Sequence, residues 1–156
     1  MQDEMNNLSH HIEKYILDLF EEEQEENFIS LRRKELAEMF ECVPSQINYV
    51  LRSRFGPEHG YLIESRRGEY GYIKIFRITY SGSDEKSRHI KNLVGNEISV
   101  RDACRLLEIL EDRNFLTDRE RLLIEIALKH SGKMSGKAIA KLLKTMLISL
   151  IRSEEE

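Results

Sequence analysis

The sequence predicts a mainly α-helical chain with one small β-hairpin, divided into two parts at about residue 80. Apolar residues recur at helical spacing over most of the chain. The stretch 61–78 is instead rich in β-branched and aromatic residues, which favour strands. The composition changes at Tyr80-Ser81-Gly82-Ser83, and the pattern beyond it is wholly helical. We therefore expect two domains, residues 1–80 and residues 81–156.

The composition, 40% apolar and 33% charged over 156 residues, is that of a globular protein. No stretch approaches the length of a membrane span, and the first residues are polar and acidic, so we expect a cytoplasmic protein without a signal peptide. Cys42 and Cys104 lie far apart without Cys-x-x-Cys or His-rich neighbours. The histidines have no partners at metal or triad spacing, and no glycine loop suits a phosphate. We expect no cofactor and no enzymatic activity.

The net charge of −4 is unevenly distributed along the chain. Residues 1–26 carry one Lys against nine Asp and Glu, a net charge of −8. Residues 27–80 carry nine Lys and Arg against six Glu, a net charge of +3, and residues 81–156 are nearly balanced at +1. The middle segment is thus the locally basic one, as a nucleic-acid contact requires.

The first two helices are predicted from apolar spacing. Residues 8–20 form one amphipathic helix. In the next helix Leu36, Met39 and Phe40 recur at i, i+3 and i+4, with the small Ala37 beside them. We expect these side chains to be buried and to fix the angle to the following helix.

A tight turn at 41–43 and a helix beginning at Pro44 complete a helix-turn-helix. Proline suits the first helical turn because its missing N–H would have no partner there. Ile47, Val50 and Leu51 form the core stripe of this helix. The other side carries Ser45, Gln46, Asn48, Tyr49 and Arg52.

These polar side chains are suited to reading DNA. Gln and Asn can bond adenine through two hydrogen bonds, Arg can do the same with guanine, and Ser can reach a phosphate near the helix N-terminus. The alternative is an ordinary solvated helix face. The position of this helix, after a short amphipathic helix and before a basic hairpin, favours DNA recognition.

Residues 61–63 and 72–78 are expected to pair as an antiparallel hairpin, which makes the fold a winged helix-turn-helix. The hairpin tip contains Arg66, Arg67, Gly68 and Gly71. An arginine at such a narrow tip fits a minor groove, where negative potential is concentrated. The alternative is ordinary exposed charge on a hairpin.

About four helices are predicted in the second half. One ends at Gly95, and capping motifs at 99–102 and 117–120 open the next two. The last helix, at about 136–152, carries a wide apolar stripe. So much apolar surface on four short helices is difficult to bury within some seventy residues, so we expect it to close a dimer interface.

The sequence also resembles a known family. The resemblance lies in Cys42–Val50, Arg54-Phe55, Gly60–Gly68, Gly71–Ile73 and Lys144–Leu150, and it spans nearly the whole chain. These stretches resemble the CtsR family, the class III stress gene repressors of low-GC Gram-positive bacteria. The resemblance implies a homodimeric repressor with a C-terminal helical dimerisation domain. It would bind double-stranded DNA at tandem direct heptamer repeats of the GGTCAAA type, upstream of Clp protease, unfoldase and chaperone genes, and be released on heat or folding stress.

The resemblance also assigns residues. Arg67 matches the family's minor-groove arginine, and Arg33 matches a phosphate-facing one. Helix residues of the family motif match Ser45, Gln46, Asn48, Tyr49 and Arg54. In the family a protein arginine kinase with its adaptor and a Clp protease control the repressor, and phosphorylation of Arg67 would make an attractive charge repulsive.

The wing tip departs from the family pattern. The family carries four glycines after the wing arginine, a feature linked to temperature sensing, whereas this chain reads Gly68-Glu69-Tyr70-Gly71. Glu69 adds a negative charge, and Tyr70 removes backbone freedom. We therefore expect heat sensing to be absent or set at a different temperature. A regulator with another operator, or a winged helix that binds proteins, is the remaining alternative.

Overall fold

The computed structural model describes residues 2–65 and 71–154, without the side chains of residues 2, 3 and 5. The described helices are α1 (Gln2–Glu22), α2 (Arg33–Met39), α3 (Pro44–Arg54), α4 (Ser83–Val94), α5 (Val100–Asp112), α6 (Asp118–Lys129) and α7 (Gly136–Ser153). The described strands are β1 (Phe28–Arg32), β2 (Tyr61–Ser65) and β3 (Tyr72–Arg77), and a 3₁₀ turn covers Pro57–His59. In the described part of the chain, no helix is long and apolar enough to cross a membrane.

The chain divides into two compact units, Met1–Ile78 and Thr79–Glu156. Tyr80 packs within the second unit, because its ring lies 5.5 Å from the ring of His89 and 5.9 Å from that of Phe115. Its hydroxyl accepts a hydrogen bond from Arg113 Nη2 at 2.9 Å. The predicted division after residue 80 stays a prediction.

The helix-turn-helix of the first unit is formed as the apolar spacing predicts. Ile12, Ile16 and Phe20 of α1 are buried, each four residues after the last. They pack in one core with Ile47 and Leu51 of α3 and with residues of α2 and the sheet. Because Ile47 and Leu51 are held in this core, the rotation of α3 about its axis is fixed, and so is the set of residues that it exposes.

The prediction for Met39 is wrong, because its side chain is 54% exposed. Leu36 and Ala37 are buried, and Phe40 is partly buried with its ring 5.7 Å from the Tyr15 ring. At 3.6 residues per turn, Leu36 and Phe40 lie close in angle, and Ala37 and Met39 diverge to opposite sides of them. The buried face extends toward Ala37, so Met39, the last residue of α2, is turned outward.

The predicted hairpin is confirmed, since β2 pairs antiparallel with β3 from Tyr61 opposite Arg77 to Ser65 opposite Ile73. The sequence analysis missed a third strand. β1 pairs antiparallel with the other edge of β3, which gives the strand order β1-β3-β2. On β1 only Ile29 and Leu31 point into the core. Two alternating apolar residues are too few to distinguish a strand from other structures in the sequence.

The second unit contains the four predicted helices. Ser99 Oγ accepts from the Asp102 N–H at 3.1 Å, and Thr117 Oγ1 accepts from the Glu120 N–H at 3.1 Å, as the capping motifs predict. Gly95 ends α4 with a φ of 73°, a conformation that favours glycine. The apolar stripe of α7 fills the unit's own core, in which Ile139, Leu143, Leu147 and Ile151 are buried.

An apolar face is nevertheless left uncovered in this unit, and it lies on α6. Leu122, Leu123 and Ile126 are 49%, 65% and 48% exposed. Arg121 holds the rotation of α6, because it pairs with Glu111 of α5 and, at 3.0 Å, with Glu125 of its own helix. Among the described residues of this unit, the exposed apolar surface therefore lies mainly on α6.

Candidate nucleic-acid interface

The polar face of α3 is the first component of the interface. Ser45, Tyr49 and Arg52 are exposed, and Gln46 and Asn48 are partly exposed. Pro44 occupies the first helical position, after Val43 in extended conformation. The structure thus brings together, on one helix face, five of the residues predicted from the sequence.

Gln46 has a second role at the start of α3. Its side-chain Oε1 accepts a hydrogen bond from the Val43 N–H at 3.1 Å, and its own N–H donates to the Val43 carbonyl at 3.0 Å. This is the reciprocal half of a capping box, since valine has no side-chain acceptor. The amide plane of Gln46 is therefore fixed by the helix end.

Arg33 links the recognition helix to the hairpin. It is the first residue of α2, and its Nε donates to Asn48 Oδ1 at 2.7 Å. Its Nη2 donates to Ser65 Oγ at 2.6 Å, on the last residue of β2. Both acceptors are neutral, so the guanidinium keeps its positive charge at the junction of α3 and the hairpin.

Arg32 is a cation that the sequence analysis missed. Its guanidinium donates to Tyr72 Oη, lies 4.7 Å from the centre of that ring, and pairs with Glu35 at 3.5 Å. The hydrogen bond to Tyr72 is the main cause that raises the pKa of Arg32 above its usual value. The sequence shows two adjacent cations, Arg32 and Arg33, which could have drawn attention to this position. Arg32 could be placed at the edge of the sheet only once β1, whose last residue it is, had been recognised as a strand.

Arg54 does not lie with the other predicted residues. Nine positions separate it from Ser45, which at 3.6 residues per turn places it on the opposite side of α3. Its Nη1 pairs with Glu13 Oε2 of α1 at 3.6 Å, with both side chains partly exposed. The structure therefore ties Arg54 to α1.

The hairpin tip lies outside the described residues. The predictions for Arg66, Arg67, Gly68, Glu69 and Tyr70 fall there. Gly71 is described, and its φ of 54° is one that a side chain would strain. The strand register fixes the hairpin from residue 61 up to Ser65, the last paired residue before the tip, which lies beside Arg33 and near Tyr72.

Three helices and a three-stranded antiparallel sheet, with a helix-turn-helix and a hairpin beside its second helix, define a winged helix-turn-helix protein. Residues 7–79 match the model of the CtsR N-terminal HTH domain, and residues 83–148 match that of the CtsR C-terminal dimerization domain. The chain belongs to the CtsR family.

Curated relatives share a large part of the chain. The transcriptional regulator CtsR of Staphylococcus haemolyticus (strain JCSC1435) is 41% identical over 78% of this chain and 79% of its own length. That of Staphylococcus aureus (strain USA300) is 41% identical over 78% of each chain. A crystal structure of CtsR in complex with a 26bp DNA duplex matches with a TM-score of 0.77 and 30% identity, covering 92% of this chain and 97% of that one.

Proposed function

We propose that this chain is a sequence-specific DNA-binding transcriptional repressor. The observation that carries the proposal is the face of α3, which exposes polar, aromatic and cationic side chains opposite a side that is buried in the core. A helix of this kind fits the major groove, and base edges are read there by hydrogen-bonding side chains. The relative solved with a DNA duplex supports the same assignment.

The charges beside α3 support the proposal. Arg52 is exposed on the helix, and Arg32 and Arg33 lie at the start of α2 and the edge of the sheet. Phosphate contacts need such cations even where the net charge of the protein is negative. Arg67 would add a contact in the minor groove from the hairpin tip.

Fluorescence anisotropy tests this function. A duplex with two tandem GGTCAAA heptamers and a scrambled duplex of the same composition are titrated with protein at two salt concentrations. We expect tight binding to the repeats alone, with affinity that falls steeply as salt rises. Equal binding to both duplexes would refute sequence-specific recognition of this operator. Salt-insensitive binding, or none, would favour the protein-interaction module.

The genes and the regulation follow from the family as proposals. We propose that the repressed genes encode Clp proteases and chaperones, and that heat or folding stress releases the repressor. We further propose control by a protein arginine kinase with its adaptor and by a Clp protease. A phosphate on Arg67 would replace attraction to the DNA backbone with repulsion. Repeating the titration at low and high growth temperature, and with Arg67→Ala, tests release and the wing contact.

We also propose that the chain acts as a homodimer joined through α6. Leu122, Leu123 and Ile126 form a face that, in water, is costly to leave exposed. The stretch that matches the dimerization-domain model includes all of α6. A twofold dimer would place this face against its own copy, since the same patch then serves both subunits.

A further inference from the structure

We infer that the recognition face of α3 donates hydrogen bonds to the bases, and that Arg33 is the positioning residue that orients the NH₂ group of Asn48 toward them. The inference rests on the proposed function, because it concerns the bases that α3 reads. It follows from the partners of the two amide side chains on this face, Gln46 and Asn48.

Each amide has its oxygen bonded within the protein. Gln46 Oε1 accepts from the Val43 N–H at 3.1 Å, and Asn48 Oδ1 accepts from Arg33 Nε at 2.7 Å. Within the described residues, neither amide nitrogen has a hydrogen-bond partner. Each NH₂ group can therefore use both of its donors on a ligand, whereas each oxygen has one of its two lone pairs already engaged.

The bond from Arg33 does more than occupy an oxygen. A guanidinium donor makes the bond charge-assisted, and it polarises the amide so that the NH₂ group becomes a stronger donor. Arg33 is itself held by Ser65 Oγ at 2.6 Å, on the last residue of β2. The end of β2 nearest the hairpin tip thus sets the position of Arg33, and Arg33 sets the amide plane of Asn48.

This arrangement changes which bases are favoured. An amide that bonds adenine through two hydrogen bonds must accept from the 6-amino group as well as donate to N7. With one lone pair of each oxygen engaged by Val43 and Arg33, donation dominates. The acceptors in the major groove are guanine N7 and O6, adenine N7 and thymine O4, and guanine alone offers two of them side by side. We therefore expect α3 to read acceptor atoms of its operator, above all those of guanine, and to be indifferent to the 6-amino group of adenine.

Chemically altered duplexes test this without changing the protein. In one series each guanine of the repeat is replaced in turn by 7-deazaguanine, which loses the N7 acceptor. In the other, each adenine is replaced by purine, which loses the 6-amino donor. We expect a deaza substitution at one or more guanines to weaken binding by roughly tenfold, as for the loss of one base contact. Losing the adenine amine should change affinity by less than about twofold.

Variants of two adjacent arginines assign the role to Arg33. Arg33→Met frees Asn48 Oδ1 and should make binding sensitive to the adenine amine. Arg32→Met removes the same charge one residue earlier, at a side chain bonded to Tyr72, and should weaken binding to all duplexes equally. Arg33→Lys retains a donor for Asn48 and should keep the selectivity of the wild type. Urea midpoints confirm that each variant is folded.

The outcomes separate the inference from the proposed function. Sequence-selective binding that depends on the adenine amine, and not on guanine N7, would overturn the inference and leave the repressor intact. The same would follow if Arg33→Met and Arg32→Met gave the same pattern across the duplexes. Wild-type protein that binds no duplex selectively would overturn the proposed function, and the inference with it.

Discussion

The two units have buried cores of nearly equal size but expose opposite kinds of helix face. Among the described residues, thirteen apolar side chains are buried in the first unit and fourteen in the second. The first unit presents Arg52 and the amides of α3, and the second presents Leu122, Leu123 and Ile126 of α6. Burial of apolar side chains therefore stabilises both units in the same way. The units differ in the side chains that their helices expose at the surface.

The largest expected effect comes from the cores. Phe55 is fully buried, with its ring 5.0 Å from that of Tyr61, and Phe55→Ala should cost the first unit about 3–5 kcal/mol. Leu143→Ala should cost the second unit about 2–5 kcal/mol. Urea unfolding measures both. We expect the first change to abolish operator binding and the second to weaken the dimer, and the reverse pattern would contradict the division of roles.

The next effect tests the apolar face of α6. Leu123→Glu places a charge where a leucine of each subunit would be buried, and the loss of about 1.5–3 kcal/mol per subunit should raise the dimer dissociation constant roughly a hundredfold or more. Light scattering at micromolar concentration measures the mass. Leu62→Glu, at a leucine 51% exposed in the first unit, is the matched control. A dimer that survives Leu123→Glu and not Leu62→Glu would move the interface to the first unit.

A smaller effect is expected from single charges. Arg52→Gln should reduce the slope of log affinity against log salt by about 1, the amount expected for one lost phosphate contact. Arg105→Gln removes the same charge from an exposed position of α5 and should leave the slope unchanged. Equal slopes for Arg52→Gln and the wild type would mean that Arg52 does not touch the backbone.

The smallest effect concerns pH and the first unit alone. Burial is the main cause that lowers the pKa of His59, and the Glu58 carboxylate, 4.0 Å away, opposes it. Because the unfolded chain binds a proton more readily, the first unit should lose stability as pH falls from about 6.5 toward the folded pKa. His59→Gln should reduce this loss, measured as urea midpoints at pH 7.5 and 5.5. The control His130→Gln, at an exposed residue of the second unit, should retain it.

The elements with strong local patterns could be predicted, and β1 could not. The helices, the paired strands of the hairpin and the capping residues Ser99 and Thr117 follow from local patterns, which fix backbone hydrogen bonds within a few residues. β1 was not predicted because the residues that it pairs with on β3 lie forty or more positions away in sequence, with Phe28 opposite Phe76. Met39 was wrongly expected to be buried. The spacing of apolar residues defines a stripe on the helix, but it does not show which part of that stripe the neighbouring elements cover.

The sequence by itself determined the winged helix-turn-helix class, the polar face of α3 and the family, because side-chain spacing and short sequence motifs are local properties of the chain. Only the tertiary structure decided what those side chains are free to do. It tied Arg54 to Glu13, and Asn48 through Arg33 to Ser65. Hydrogen bonds between residues distant in sequence depend on how the elements pack, and no local pattern contains that information.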